Sequence, residues 1–138
     1  MSKPYYTLAY IEGIGEKYSS QLKKAGITTP TILLEKGSTP KGRKEIAEKS
    51  GISEKLILEW VNHIDLFRIK GVGSEYADLL EEAGVDTVVE LATRLPANLL
   101  EKLVATNQTK KLVRKMPVLS QVEDWVEQAK KLPRMISY

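Results

Sequence analysis

Cysteine is absent from this 138-residue chain, and histidine occurs once. Those two scarcities exclude disulfides, thiolate metal sites and the usual zinc ligand sets, so stability has to come from burial and hydrogen bonding. Excess charge of one sign is also lacking: 21 Lys and Arg stand against 18 Asp and Glu, a net charge of +3, far from the balance of a histone-like coat protein. No run approaches the roughly 18 apolar residues that a membrane span needs, and the opening MSKPYYTLAY has no signal-peptide apolar core. A cytoplasmic protein with no membrane partner is expected. Strand signals are few, since Val88-Val89 is too short and falls inside a helical period. What the chain does have is 42% apolar residues, enough at this length for one domain or two small ones with a real core.

It also contains itself twice. IEGIGEKYSSQLKKAGITTPTILLE at 11–35 and IKGVGSEYADLLEEAGVDTVVELA at 69–92 align without a gap, 58 residues apart. Ile11, Gly13, Gly15, Tyr18, Leu22, Ala25, Gly26 and Thr29 meet Ile69, Gly71, Gly73, Tyr76, Leu80, Ala83, Gly84 and Thr87. A weaker echo follows each copy, a proline-started helix (Pro40, Pro96) and then an acidic-Trp-Val helix (Trp60, Trp125). The reading is therefore all-α, in two halves, 1–68 and 69–138, either one compact unit or two packed halves. Gly26 and Gly84 sit where a left-handed residue closes a helix, with Thr28 or Asp86 expected to cap the next one. Thr39-Pro40 and Leu95-Pro96 open further helices, Ser53 and Ser120 are expected caps, Thr109–Lys115 reads as a short basic turn or helix, and Pro133 ends the last helix.

A hydrophobic residue two places before Gly (Ile11, Ile69), then Gly, a hydrophobic residue, Gly, and a helix with a small residue four places on (Ser19, Ala77) resembles the helix-hairpin-helix motif. The longer A-G-I/V-x-T pattern looks like that of recombinase amino-terminal domains and of the carboxy-terminal domains of RNA polymerase α polypeptides. The chain from about 8 to 132 resembles a bacterial domain-of-unknown-function family with two such repeats. That resemblance implies tandem SAM-like, polymerase-β-N-terminal-like repeats, each followed by two or three packing helices, and a partner in nucleic acid. Gly13 and Gly71 would take positive φ, Ile14 and Val72 would plug the hairpin into its core, and Gly15 and Gly73 would leave amides bare at a helix N-terminus, where the helix dipole attracts phosphate. The lead-in after Pro4 leaves little room for a long preceding helix.

Charge separates the copies. Residues 1–68 hold 11 basic and 8 acidic side chains, residues 69–138 ten of each. Lys17 stands two places after Gly15, where the family presents a backbone-contacting lysine, and Lys23 and Lys24 end that helix; in copy two Glu75 replaces Lys17 and Asp78, Glu81 and Glu82 follow, with Lys70 the local cation. Phosphate contact is expected mainly at Gly13, Ile14, Gly15, Lys17, Lys23 and Lys24, with Gly71 and Gly73 as the weaker counterpart. Lys41, Arg43 and Lys44, and the run Lys110, Lys111, Arg114 and Lys115, are further candidates, against the plain alternative of solvated helix faces.

Other chemistry fails on inspection. RKEIAEKSGISEKLILEWVN has helix-turn-helix spacing, but the would-be reading helix begins Ser53-Glu54-Lys55-Leu56 and has no Arg, Gln or Asn before Asn62, so it reads as packing. His63 reads as structural or surface rather than catalytic, Asp86 as a cap, and the adjacent acids Glu81/Glu82 and Glu123/Asp124 point apart on their helices. No nucleotide-binding glycine motif or nucleophile triad occurs. Trp60 and Trp125 read as core anchors. The expectation is a non-enzymatic protein with no cofactor or metal that binds nucleic acid, duplex or branched DNA being the ligand class implied, without reading sequence. The rival is an adaptor that uses the same scaffold for a protein partner or for self-association.

Overall fold

Seven of the eight described helices begin at a proline, a small polar side chain or a glycine turn, positions suited to a helix start, where the first-turn amides have no partner within the helix. The computed structural model describes residues 7, 8, 11 and 13–138; the lead-in at Pro4 lies outside them. Among the described residues there are eight helices and no strand, so the protein is all-helical. None of these helices is long and apolar enough to cross a membrane.

The chain divides into two units. The first holds α1 (Glu16–Lys24), α2 (Pro30–Lys36), α3 (Pro40–Ser50) and nearly all of α4 (Glu54–Leu66). Residues 135–138 also belong to it, whereas the sequence reading places them in the second half. Helix α3 packs against α1 and α2. Leu22, Ile27, Leu33, Ile46, Ile57, Trp60 and Val61 are buried. Thr39 caps α3 by accepting from the Gly42 amide at 3.0 Å, and Gly51 closes it in the left-handed region at φ 77°. Ser53 then caps α4, accepting from the Leu56 amide at 3.2 Å. Of the six helix-turn-helix-like positions, Ile46, Ile52, Ile57 and Trp60 are buried, Ala47 is half-buried and Gly51 is exposed.

The second unit, residues 66–134, holds α5 (Ser74–Glu82), α6 (Val88–Ala92), α7 (Pro96–Lys110) and α8 (Leu119–Lys131). Helix α8 lies against α6 and α7, and α5 against α7. One core joins Ile69, Val72, Leu79, Leu80, Val85, Leu91, Leu99, Leu103, Val122, Trp125 and Val126.

Three local expectations need correction. The caps of α2 and α6 are Thr29 and Thr87, which accept from the Ile32 and Glu90 amides; Thr28 and Asp86 are one place too early. Ser120 lies inside α8, whose N-cap is Val118, with the Gln121 side chain accepting from the Val118 amide at 2.9 Å. The basic run is not a helix of its own: Thr109 and Lys110 finish α7, and Asn107 Oδ1 accepts from the Leu112 and Val113 amides to fold the chain away.

Candidate functional site

The two glycine turns have the same backbone bonding. In the first, the Ile11 amide donates to Leu8 O and the Ile14 amide to Ile11 O; in the second, Ile69 donates to Leu66 O and Val72 to Ile69 O, all four at 3.1 Å. Gly13 and Gly71 take φ of 88° and 97°, conformations that glycine adopts freely and other residues rarely do. Gly15 and Gly73 are extended N-caps, at φ −86° and −97°, with no side chain capping the helix that follows. The helix carbonyl ladder then starts identically, Ser19 donating to Gly15 O and Ala77 to Gly73 O at 2.9 Å. At the far end of α1 and α5, Gly26 and Gly84 are left-handed, and the Ile27 and Val85 amides return to Leu22 O and Leu80 O.

Tryptophan supports each turn. A Cβ on Gly13 would lie 3.5 Å from Trp60 Nε1, and one on Gly71 3.1 Å from Trp125 Nε1. The tyrosine of the following helix leans on the same indole, Tyr18 on Trp60 and Tyr76 on Trp125, each with ring centroids 5.2 Å apart. Both indoles are buried, so stacking on a base is closed to them. His63 is buried as well, on α4.

The copies differ in what they present. Gly15 is exposed and, among the described residues, a Cβ there would meet nothing within 4 Å, so these residues leave the start of α1 open to an approaching group. Lys17 is exposed in that first turn, next to the exposed Glu16, a neighbouring acid that the sequence reading leaves out of account. Gly73 is only half-exposed, Glu75 stands in the first turn of α5, and the Lys70 backbone is held by Gln128, whose Oε1 accepts from the Lys70 amide at 2.8 Å.

Several predicted residues lie away from that opening. Ile14 is 2% exposed and its amide is used within the turn, so it serves as the plug and has no surface to offer a ligand. Lys23 and Lys24 are exposed in the last turn of α1, roughly 9 Å along the axis from Lys17, where they complement the negative end of the helix dipole. Lys41 and Lys44 are exposed on α3. Arg43 between them is 6% exposed, with Nη1 donating to Gly37 O and Nη2 to Ser137 O. It is an internal tie, and the expectation of a phosphate contact there is withdrawn.

The basic run is placed beside α5. Lys110 Nζ lies 4.0 Å from Glu82 Oε2, and Tyr76 Oη donates to Lys115 O at 2.9 Å. Arg94 Nη2 donates to Gly84 O and pairs with Glu90. Lys70 is therefore not the lone local cation of copy two, although Lys110 and Arg94 approach the C-terminal end of α5, away from the turn. Lys111, Arg114 and Lys115 are exposed. Lys111 has φ 52°, a left-handed strain that a β-carbon makes costly. Lys111→Gly is expected to raise the unfolding free energy by about 0.5–1 kcal/mol, read as a higher urea midpoint.

Two features were legible in the sequence and missed. Leu8 and Leu66 extend the aligned repeat by three positions, and Lys36 and Arg94, another matched pair, place their side chains by Gly26 and Gly84. Among the described residues, no group of His, Cys, Asp and Glu gathers into a possible metal site. The family described as a domain of unknown function (DUF4332) matches residues 12–132. No curated protein and no solved structure matches the chain.

Proposed function

Since this chain belongs to the domain-of-unknown-function family DUF4332, whose description carries no activity, we propose its function from its own geometry: non-sequence-specific binding of the phosphate backbone of duplex or branched DNA at the first glycine turn. In this reading each turn with its flanking helices is a helix-hairpin-helix element, and the chain is a tandem pair of them. The supporting observation is the opening at Gly15, an uncapped start of α1 that the described residues leave open, with Lys17 alongside. Amides at a helix N-terminus and a nearby cation favour an anion, and a protein that contacts only phosphate reads no sequence. The second turn, with Glu75 at the same place and a half-exposed Gly73, keeps the backbone form and serves as packing or as a partner surface.

Anisotropy titrations with duplex and junction DNA test this. Binding is expected at micromolar protein in low salt and should weaken steeply as salt rises. Lys17→Glu is expected to reduce affinity roughly tenfold and the salt slope by about one. No binding at low salt, or binding indifferent to Lys17→Glu, overturns the reading.

The adaptor reading has an observation of its own. Ala97, Leu100, Val104 and Ala105 of α7 and Leu119 of α8 line a shallow, largely apolar hollow of about 480 Å³, with Glu101 and Gln108 also on its wall, and Val104 and Leu119 are 38% and 40% exposed. Exposed apolar patches mark protein interaction sites. A stoichiometric protein complex or discrete oligomer with no DNA retention would favour this second reading.

A further inference from the structure

We propose that the apolar hollow on α7 is a docking face for a second copy of this chain, with the two α7 helices lying antiparallel about a twofold axis. This deepens the adaptor reading of the same hollow and is independent of phosphate binding at the first glycine turn.

The hollow lies wholly within the second unit, on α7 and the start of α8. Leu99 and Leu103 turn into the core of that unit and are buried. At 3.6 residues per turn, Ala97, Leu100, Glu101, Val104, Ala105 and Gln108 then fall on one outward stripe about three turns long. Leu119 borders it from α8, and the adjacent Val118 is 56% exposed. A stripe of this kind, apolar along its middle and polar towards its edge, is the surface on which a second helix packs.

The stripe complements itself when reversed, which is what points to a second copy. A twofold axis between Val104 and Ala105 sets each Val104 against Ala105 of the partner subunit, a large side chain on a small one. The same axis sets each Glu101 against Gln108 of the partner subunit, an amide donor facing a carboxylate. Glu101 and Gln108 are exposed and two turns apart, and among the described residues neither side chain has a hydrogen bond or ion pair within the chain. Both are free for that pairing. A parallel pair would do the reverse, setting each Glu101 against its twin and gathering Lys110 and Lys111 of both copies at one end. Antiparallel helices also oppose their dipoles favourably. A single helix pair falls short of the roughly 1,200 Å² that standard stable interfaces bury, so the dimer is expected to be weak and concentration-dependent.

Sedimentation equilibrium of the full chain without DNA, from micromolar to millimolar protein, tests this. A reversible monomer–dimer equilibrium is expected, and Val104→Glu should abolish it. Gln108→Glu sets carboxylates against each other and should weaken the dimer several-fold. Adding Glu101→Lys to that variant restores opposite charges and should recover the dimer, a rescue that only this register gives. All three positions are exposed, so the variants should keep the parent's far-ultraviolet circular dichroism. They should also leave DNA titrations in dilute protein unchanged, so that failure here and failure of the phosphate reading are told apart. A chain that stays monomeric at every concentration overturns the proposal and leaves the hollow to a different protein. So does a dimer indifferent to Val104→Glu, or one that the double exchange does not restore.

Discussion

Replacing Gly42 with alanine is expected to destabilise the first unit by roughly 3 kcal/mol, the upper part of the range for forcing an extra methyl into a packed site. Helix propensity alone predicts the opposite sign, because Gly42 lies within α3 and alanine there should gain about 1 kcal/mol. The difference comes from α2. A Cβ at position 42 would stand 1.9 Å from Lys36 O and 3.1 Å from the Lys36 carbonyl carbon. Both are backbone atoms, so no rotamer change relieves the overlap and the two helices would have to separate. Gly37, close to that contact in sequence, is also tight, though less so: a Cβ there would lie 2.6 Å from a Val61 methyl and 2.8 Å from Leu33 O. Urea unfolding should show a lower midpoint for Gly42→Ala. A midpoint equal to or above that of the parent would mean that α2 and α3 do not approach so closely.

Trp125→Ala should cost about 3–5 kcal/mol, as removal of large buried aromatics does. Against a total stability of about 5–15 kcal/mol for ordinary proteins, that is a large share of what holds the second unit folded. Trp125 is 2% exposed within a core that also includes Leu99, Leu103 and Val122. It also supports Gly71 and packs at a tilt against Tyr76, so its loss removes the floor of the glycine turn as well as core volume. Trp125→Phe retains much of the packing and should cost distinctly less. Near-ultraviolet circular dichroism and urea midpoints on the two variants provide the check. Equal midpoints for Trp125→Ala and the parent would contradict the placement of this side chain.

Much of the local structure is legible in the residue order. The gap-free repeat, the left-handed glycines at 13, 26, 71 and 84, the proline starts of α3 and α7, and the tryptophans as buried anchors follow from residue type and spacing. The cap errors at Thr28, Asp86 and Ser120 have local causes. Thr29 stands beside Thr28 and Thr87 beside Asp86, and either neighbour could supply an oxygen; which one does depends on where the preceding glycine turn delivers the chain. At α8 a hydroxyl is the expected cap, and a glutamine one turn inside bonds back instead. Of the candidate site, Gly13, Gly15 and Lys17 come together at one opening, and Arg43 does not join them.

Residue order by itself determined the helical class, the duplication and the conformation of both glycine turns, because these depend on neighbours a few positions away through φ preference, capping and apolar period. Tertiary structure alone decided that Arg43 is an internal tie to Ser137 rather than a surface cation, that the basic run lies against the acidic α5, and that Gly42 cannot bear a methyl group. Each of those depends on chain segments brought together by burial, and burial is a property of the packed unit that no local pattern encodes.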